Sequence, residues 1–374
     1  MSIAYFAHEL GDPAVRKRVR MIEAGGRKVE LLGFERRRFA SDGHGPEPHV
    51  LGRTRNGKLL ARVFAVLGAI PRAWRIRSVW DKSDALLARN LEMLTVVSLL
   101  KWLTRSNAPV VYECLDIHRL MLGQGPASKA LRALERACMR GASLVLTSSP
   151  AFEARYFRAV QGYRGKILLL ENKVLSLSEP LPALRTPSAG PPWKIAWCGV
   201  LRCRRSLEIL RQLAQTQGDR VQIELWGAPA LDQIPDFHEI VGSSAQMRFM
   251  GSYRPEDLAT IYGDAHFVWA IDYYEQGGNS DWLLPNRLYE GLYFGATPIA
   301  AAGVETARWL EARQLGVVLE EPAPEKLSAF IANCTAERYA ALRAAVAHID
   351  PQAVTFTLQS CRALVDEMAS GAAA

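Results

Sequence analysis

The sequence predicts an α/β protein of two domains, each a parallel sheet covered by helices. Short apolar runs alternate with segments of helical period from end to end, the pattern of repeated β-α-β units. At 374 residues the chain exceeds the usual reach of one hydrophobic core. The Pro-rich, aperiodic stretch 181–192 divides it near the middle.

In the first half, strands are predicted at 3–7, 29–33, 85–88, 110–113, 144–147 and 167–170, each a short apolar run. Helices are predicted at 14–24, stopped by Gly25-Gly26, and at 91–104, 128–140 and 150–158. Beyond the divide, a second series opens with a strand at 194–198 and a helix at 205–214. Strands follow at 221–225 and 267–271. A helix opened near Pro285 and closed by Gly295 and Pro298 then leads to a strand at 297–300, and helices are expected to fill the remainder. No internal repeat is present, and the only low-complexity tract is the Ala-rich end.

Composition narrows the function classes. The six cysteines, at 114, 138, 198, 203, 334 and 361, form no C-x-x-C pair, and no His cluster has metal-ligand spacing, so neither zinc nor a disulfide framework is indicated. A reducing cytosol fits this best. No G-x-G-x-x-G follows any strand, which argues against a dinucleotide cofactor. The amino terminus runs directly into a strand without a signal-peptide pattern, and the apolar runs 59–70 and 91–103 are too short to span a bilayer. Most of the net charge of +8 sits in residues 53–82, where eight Lys and Arg face the single acid Asp81. Apolar and aromatic residues, Trp74 and Trp80 among them, interleave with these charges. That mixture suits an anionic membrane surface better than nucleic acid, and the competing reading packs the apolar side chains into the core.

The segment Asn279–Ala300 carries the strongest chemical signal. Pro285 suits a helix start, where the free amides of the first turn, beginning at Asn286, can face a diphosphate. Glu290 lies within that helix, and an ionised carboxylate there can accept hydrogen bonds from both hydroxyls of a ribose. The plainer reading is an amphipathic helix with Leu288, Leu292 and Tyr293 on the core and Glu290 in solvent. Arg202 and Arg205 follow a strand and the turn at Gly199, where guanidinium groups can pair with phosphate oxygens. Alternatively they belong to a solvated basic helix face. His118 and Asp116 lie just past a strand, either as a catalytic pair or as a hydrogen-bonded turn. His8, Glu9 and Gly11 follow the first strand, at the edge where parallel sheets present ligands, and either face a substrate or cap the next helix at Asp12.

In their order these segments resemble the GT-B glycosyltransferases, most closely the retaining family 4 enzymes of bacterial exopolysaccharide and capsule assembly. The resemblance is carried by Asp12-Pro-Ala-Val-Arg-Lys-Arg-Val19, Ala142–Ser149, Asn172-Lys-Val, Trp197–Leu207, Met247–Tyr253 and the helix of Glu290. It implies two Rossmann-like domains facing each other across a cleft. Residues 1–178 would bind the acceptor, 193–350 would bind the nucleotide-sugar donor, and the C-terminal helix 351–374 would return to the first domain. It places Gly199, Arg202, Arg205, Trp226, Tyr253, Asp281, Pro285, Asn286 and Glu290 on the donor, and His118, Asp116, Arg202 and Arg205 in catalysis. His8, Glu9 and Gly11 fall on the acceptor side.

The implied activity is hexosyl transfer from a nucleotide diphosphate sugar, a UDP-sugar by preference, to a lipid-linked or oligosaccharide acceptor. It would take place at the cytosolic membrane face, with no metal, cofactor or nucleic acid. The family's two glutamates have seven residues between them, and here Trp282 stands where the first belongs. Asp281, Glu275 or Asn279, on a loop expected to be flexible, would replace it. This departure keeps open an epimerase or hydrolase of the same fold, or a non-catalytic partner of a transferase.

Overall fold

The structure is a computed structural model that describes the chain apart from residues 36–44, 55–58, 178–183, 322, 371–374 and the side chains of 59–63. The chain forms two compact units. One comprises Met1–Glu171, Leu175–Leu177 and Phe356–Ala374, and the other Asn172–Val174 and Ser178–Thr355.

The first unit contains β1 (Ser2–Ala7), α1 (Pro13–Ala24), β2 (Lys28–Glu35), β3 (His49–Arg53), α2 (Leu59–Arg75), β4 (Ala85–Arg89), α3 (Asn90–Thr104), β5 (Val110–Cys114), α4 (Pro126–Met139), β6 (Ala142–Thr147) and β7 (Ile167–Leu169). The seven strands form one parallel sheet in the order β3-β2-β1-β4-β5-β6-β7. Strands β4 and β5 are buried at every residue, which explains their unbroken apolar runs. The chain moves one way from β1 to β3 and the other way from β3 to β7. Right-handed crossovers therefore put α1 on one face and α2, α3 and α4 on the other. Packing agrees, since α1 contacts the C-terminal helix Leu358–Ser370, α2 contacts α3, and α3 contacts α4. Cys361, Leu364, Val365 and Met368 of the C-terminal helix complete the core beneath α1.

The second unit contains β8 (Trp193–Leu201), α5 (Arg204–Gln217), β9 (Val221–Pro229), β10 (Met247–Gly251), α6 (Leu258–Gly263), β11 (Phe267–Trp269), α7 (Asn286–Phe294), β12 (Thr297–Ala301) and β13 (Val317–Leu319). Its six strands are parallel in the order β10-β9-β8-β11-β12-β13. The segment before β8 is strapped to this unit. His266 Nε2 lies 2.9 Å from the Ser188 carbonyl, and Arg343 donates to the Arg185 carbonyl at 2.8 Å. Of the aperiodic stretch 181–192, residues 181–183 lie outside the described residues.

Three expectations need correction. The tail is not all helix, because Val317–Leu319 pairs with Ile299–Ala301 as a sixth strand too short to show a period. The tract before β4, left without elements, contains β3 and α2. Trp80 is not available to a membrane. It is fully buried, donates from Nε1 to the Ala73 carbonyl at 2.9 Å and packs edge-on to Phe6. Residues 55–58 of the basic segment, and the side chains of Leu59, Leu60, Arg62 and Val63, lie outside the described residues.

Candidate functional site

In the second unit the ligand-facing edge of the sheet is shaped by two glycines. Gly199 of β8 pairs with Gly227 of β9, at φ +123° and +126°. A Cβ on Gly227 would lie 1.9 Å from the Gly199 carbonyl oxygen, so the two backbones approach this closely only because Gly227 has no side chain. β8 ends two residues later. Cys203 caps α5 by accepting from Ser206 N, and Arg202 sits on the turn ahead of the helix, half-buried.

The two predicted phosphate-binding arginines hold their guanidinium carbons over the rings of consecutive tyrosines in the segment after β11. Arg202 stacks on Tyr274 at 4.4 Å and Arg205 on Tyr273 at 4.0 Å. Arg205 also donates to Gln276 Oε1 and to Glu321 Oε1, both at 2.7 Å. The intervening Arg204 instead pairs with Asp236. The basic-face reading thus fits Arg204, whereas Arg202 and Arg205 are oriented by aromatic surfaces.

Glu290 is half-buried on α7. Leu288, Tyr289 and Leu292 turn into the core, and Glu290 Oε2 accepts from Tyr262 OH at 3.0 Å. Burial and the nearby Glu290 carboxylate push the Tyr253 and Tyr262 hydroxyls upward, and burial lifts the Cys198 thiol to about 12. Arg287, one turn before Glu290, donates to the Ile271 carbonyl at 2.8 Å. Trp226, at the end of β9, packs with Tyr253 against this cluster and donates to Glu224 Oε2 at 3.2 Å. Gly199, Trp226, Tyr253 and Glu290 therefore surround one corner of the sheet edge. Pro285 is the residue that caps α7, so Asn286, which is exposed, opens its first turn. Asn172 Nδ2 donates to the Leu284 carbonyl at 2.9 Å, just ahead of that cap.

The loop around Asp281 is folded on itself rather than open. Glu275 N donates to Ser280 Oγ at 2.8 Å, Gly277 N donates to Asp281 Oδ2 at 3.1 Å, and Asn279 is buried. No group of three or more His, Cys, Asp or Glu side chains among the described residues has metal-site geometry.

In the first unit, Asp12 caps α1 by accepting from Ala14 N at 2.9 Å, and its other oxygen meets Arg89 at 3.3 Å. His8 and Glu9 are half-buried on the loop before it and Gly11 is exposed. His118 caps the helical turn Arg119–Leu122. Its Nδ1 accepts from Leu120 N at 3.2 Å, which puts the proton of the neutral ring on Nε2. Both His118 and Asp116 are exposed.

Sequence reasoning missed the charged hub beneath these loops. Glu113, fully buried, accepts from Arg18 at 2.6 Å, Tyr5 OH at 2.7 Å and Arg89 at 3.1 Å. Burial alone would raise its pKa, but Arg18, Arg89 and Tyr5 outweigh that and hold it at about 2. A charged residue inside the predicted strand 110–113 was the available signal. Tyr273, Tyr274, Arg287 and Gly227 were also missed.

Residues 12–173 match the model of the glycosyl transferase 4-like domain. The succinoglycan biosynthesis protein ExoL of Rhizobium meliloti (strain 1021) is 44% identical over 99% of this chain and 94% of its own length. Among solved structures, sucrose-phosphate synthase from Thermosynechococcus elongatus superposes with a TM-score of 0.69 at 17% identity, covering 98% of both chains. Anabaena HepE in complex with UDP-glucose superposes with a TM-score of 0.70 at 16% identity, covering 99% of both. With the two parallel sheets and their ligand edges in place, the chain belongs to the family 4-like glycosyltransferases of the GT-B fold, in the company of ExoL.

Proposed function

We propose that the protein transfers a hexosyl group from a UDP-sugar to a lipid-linked or oligosaccharide acceptor in exopolysaccharide biosynthesis. The observation that carries this reading is the pair of guanidinium groups laid on Tyr273 and Tyr274 beside the Glu290 cluster. In such a transfer the departing diphosphate gains charge as the glycosidic bond breaks. Arg202 and Arg205, held over the rings, supply fixed positive charge where it develops, and Glu290 receives the ribose hydroxyls. Trp226 and Tyr253 flank the nucleoside. His8, Glu9, Gly11, Asp116 and His118 serve the acceptor and the transferred sugar. The transfer requires neither cofactor nor metal, because the arginines take the place of a bridging cation.

The names of ExoL and of the HepE complexes support the pathway and the nucleotide. Work on a lipid-borne acceptor implies a peripheral position on the cytosolic membrane face, reached through the basic segment 53–82. No helix among the described residues is long and apolar enough to cross a membrane. The test is thermal unfolding with a panel of uridine and guanosine diphosphate sugars. A ligand at 100 times its Kd adds about 2.7 kcal/mol of stability. Stabilisation by uridine compounds that survives EDTA supports the reading. Indifference to every nucleotide, or dependence on added magnesium, overturns it.

A further inference from the structure

The helical layer α2–α3–α4 has an outward face that its sequence does not protect from water. α3 holds Glu92 and Lys101 as its only charged residues in fifteen. Met93, Leu94, Val96, Val97 and Leu100 cover its inner side. A helix on the surface of a soluble domain carries polar residues on its other side, yet here that side presents Leu99, Leu103 and Trp102, the last 75% exposed. Neighbouring α2 adds Phe64, 72% exposed, with Leu67 and Trp74, and α4 adds Leu134. These helices pack side by side on one face of the sheet, so their exposed apolar residues belong to one surface.

Exposed charge around this surface is predominantly positive. The acids on the three helices are Glu92, half-buried, and Glu135, buried, and Asp81 beside Arg77 is half-buried, whereas Arg75, Arg77, Arg105, Lys129 and Arg136 on and beside the helices are exposed. Arg77 lies over the Trp74 ring at 5.9 Å, joining the cationic rim to the apolar patch. A second copy of the chain is a poor cover, because a twofold interface would set this basic rim against itself. An anionic bilayer meets both requirements, taking the aromatic residues among its headgroups and the guanidinium groups on its phosphates. We propose that the whole outward face of this layer, with Trp102 as its most exposed large apolar residue among those described, is the surface on which the protein lies on an anionic membrane. The inference rests on the membrane part of the proposed function and extends it from the segment 53–82 to α3 and α4.

Sedimentation with phosphatidylcholine vesicles, with and without phosphatidylglycerol, tests it on the full chain. The wild type is expected to bind only the anionic vesicles, less so as salt rises. Trp102→Ala and Leu103→Ala, both at exposed positions, should together raise the lipid concentration for half-binding about tenfold or more. The double variant Arg75→Glu, Arg77→Glu should abolish binding. Wild-type binding by the Trp102 and Leu103 variant, with loss in the arginine variant, overturns the extension and leaves the segment reading standing. Indifference of the wild type to anionic vesicles overturns both. A self-association that Trp102→Ala dissolves, without vesicle binding, assigns the face to a second copy instead.

Discussion

Gly227→Ala and Gly199→Ala form a pair in which one perturbation isolates a single physical cause. The two residues are opposite each other in the β8–β9 register and have nearly the same backbone, φ +126° and +123°. Either alanine suffers the strain of a left-handed backbone, about 1–2 kcal/mol. A Cβ at Gly199 meets nothing within 4 Å, so that strain is its whole cost. A Cβ at Gly227 lies 1.9 Å from the Gly199 oxygen and 2.9 Å from its carbon, both backbone atoms that no rotamer change can remove. Relief requires the strands to part by more than about 1 Å, given the steric limits on backbone contact. The pairs Ala228↔Val200 and Pro229↔Leu201 beyond the glycines would then open. With roughly 1 kcal/mol for each backbone hydrogen bond lost, Gly227→Ala should cost about 3–5 kcal/mol in all. For a domain of this size the excess over Gly199→Ala corresponds to roughly 5–10 °C in Tm. Thermal unfolding followed by circular dichroism measures both variants under identical conditions. Equal losses, or a larger loss at Gly199, would refute the claim that close strand approach sets this edge of the second sheet.

Glu290→Gln should leave Tm nearly unchanged and weaken UDP binding roughly ten- to hundredfold, as a charged acceptor becomes a neutral one. Calorimetric titration with UDP decides, and wild-type affinity would move Glu290 out of the site. Arg202→Ala and Arg205→Ala should each lower kcat about a hundredfold, with smaller changes in KM, because the charge they serve develops in the transition state. Unchanged initial rates with a validated donor and acceptor would remove them from the chemistry. His266 should produce a loss of stability in mild acid. Its pKa is lowered from 6.5 by burial, with Nδ1 accepting from Lys194 N at 3.0 Å, so protons bind the unfolded chain preferentially. Its contribution is complete above pH 6.5 and declines as pH falls through the lowered folded value, with a slope of at most about 1.4 kcal/mol per pH unit. Urea unfolding between pH 7 and pH 5 should therefore show a steeper loss than the His266→Asn variant does, and parallel curves would contradict the assignment. Glu113, lowered from 4.5 to about 2, costs stability as the unfolded carboxylate protonates, from about pH 5 downward, which both proteins share.

The parts of the molecule legible in the sequence are those whose cause is local. Buried parallel strands such as Ala85–Arg89 announce themselves as apolar runs because both faces are covered. The place of Glu290 inside a helix was legible because the proline ahead of that helix and the glycine behind it each lie five residues from it. Trp80 was misplaced for a related reason. A tryptophan among arginines reads as interfacial until the Ala73 carbonyl and the Phe6 ring that receive it are known, and Phe6 comes from a strand more than seventy residues away. The β13 strand was illegible because three residues cannot show a period and only pairing with β12 makes them a strand.

Arg205 has both kinds of cause. Its position after a strand and a glycine turn made it a candidate phosphate ligand, but nothing nearby in sequence showed that Tyr273, Gln276 and Glu321 would hold its guanidinium. That difference bears on mechanism. A lysine at this position would supply the charge but could not cover the Tyr273 ring with a planar cation while donating to two fixed acceptors. Arg205→Lys should therefore retain part of the electrostatic contribution and lose the orientation, giving a rate between those of wild type and Arg205→Ala at similar KM. A lysine variant as fast as wild type would mean that charge alone matters and that the tyrosine stack is incidental.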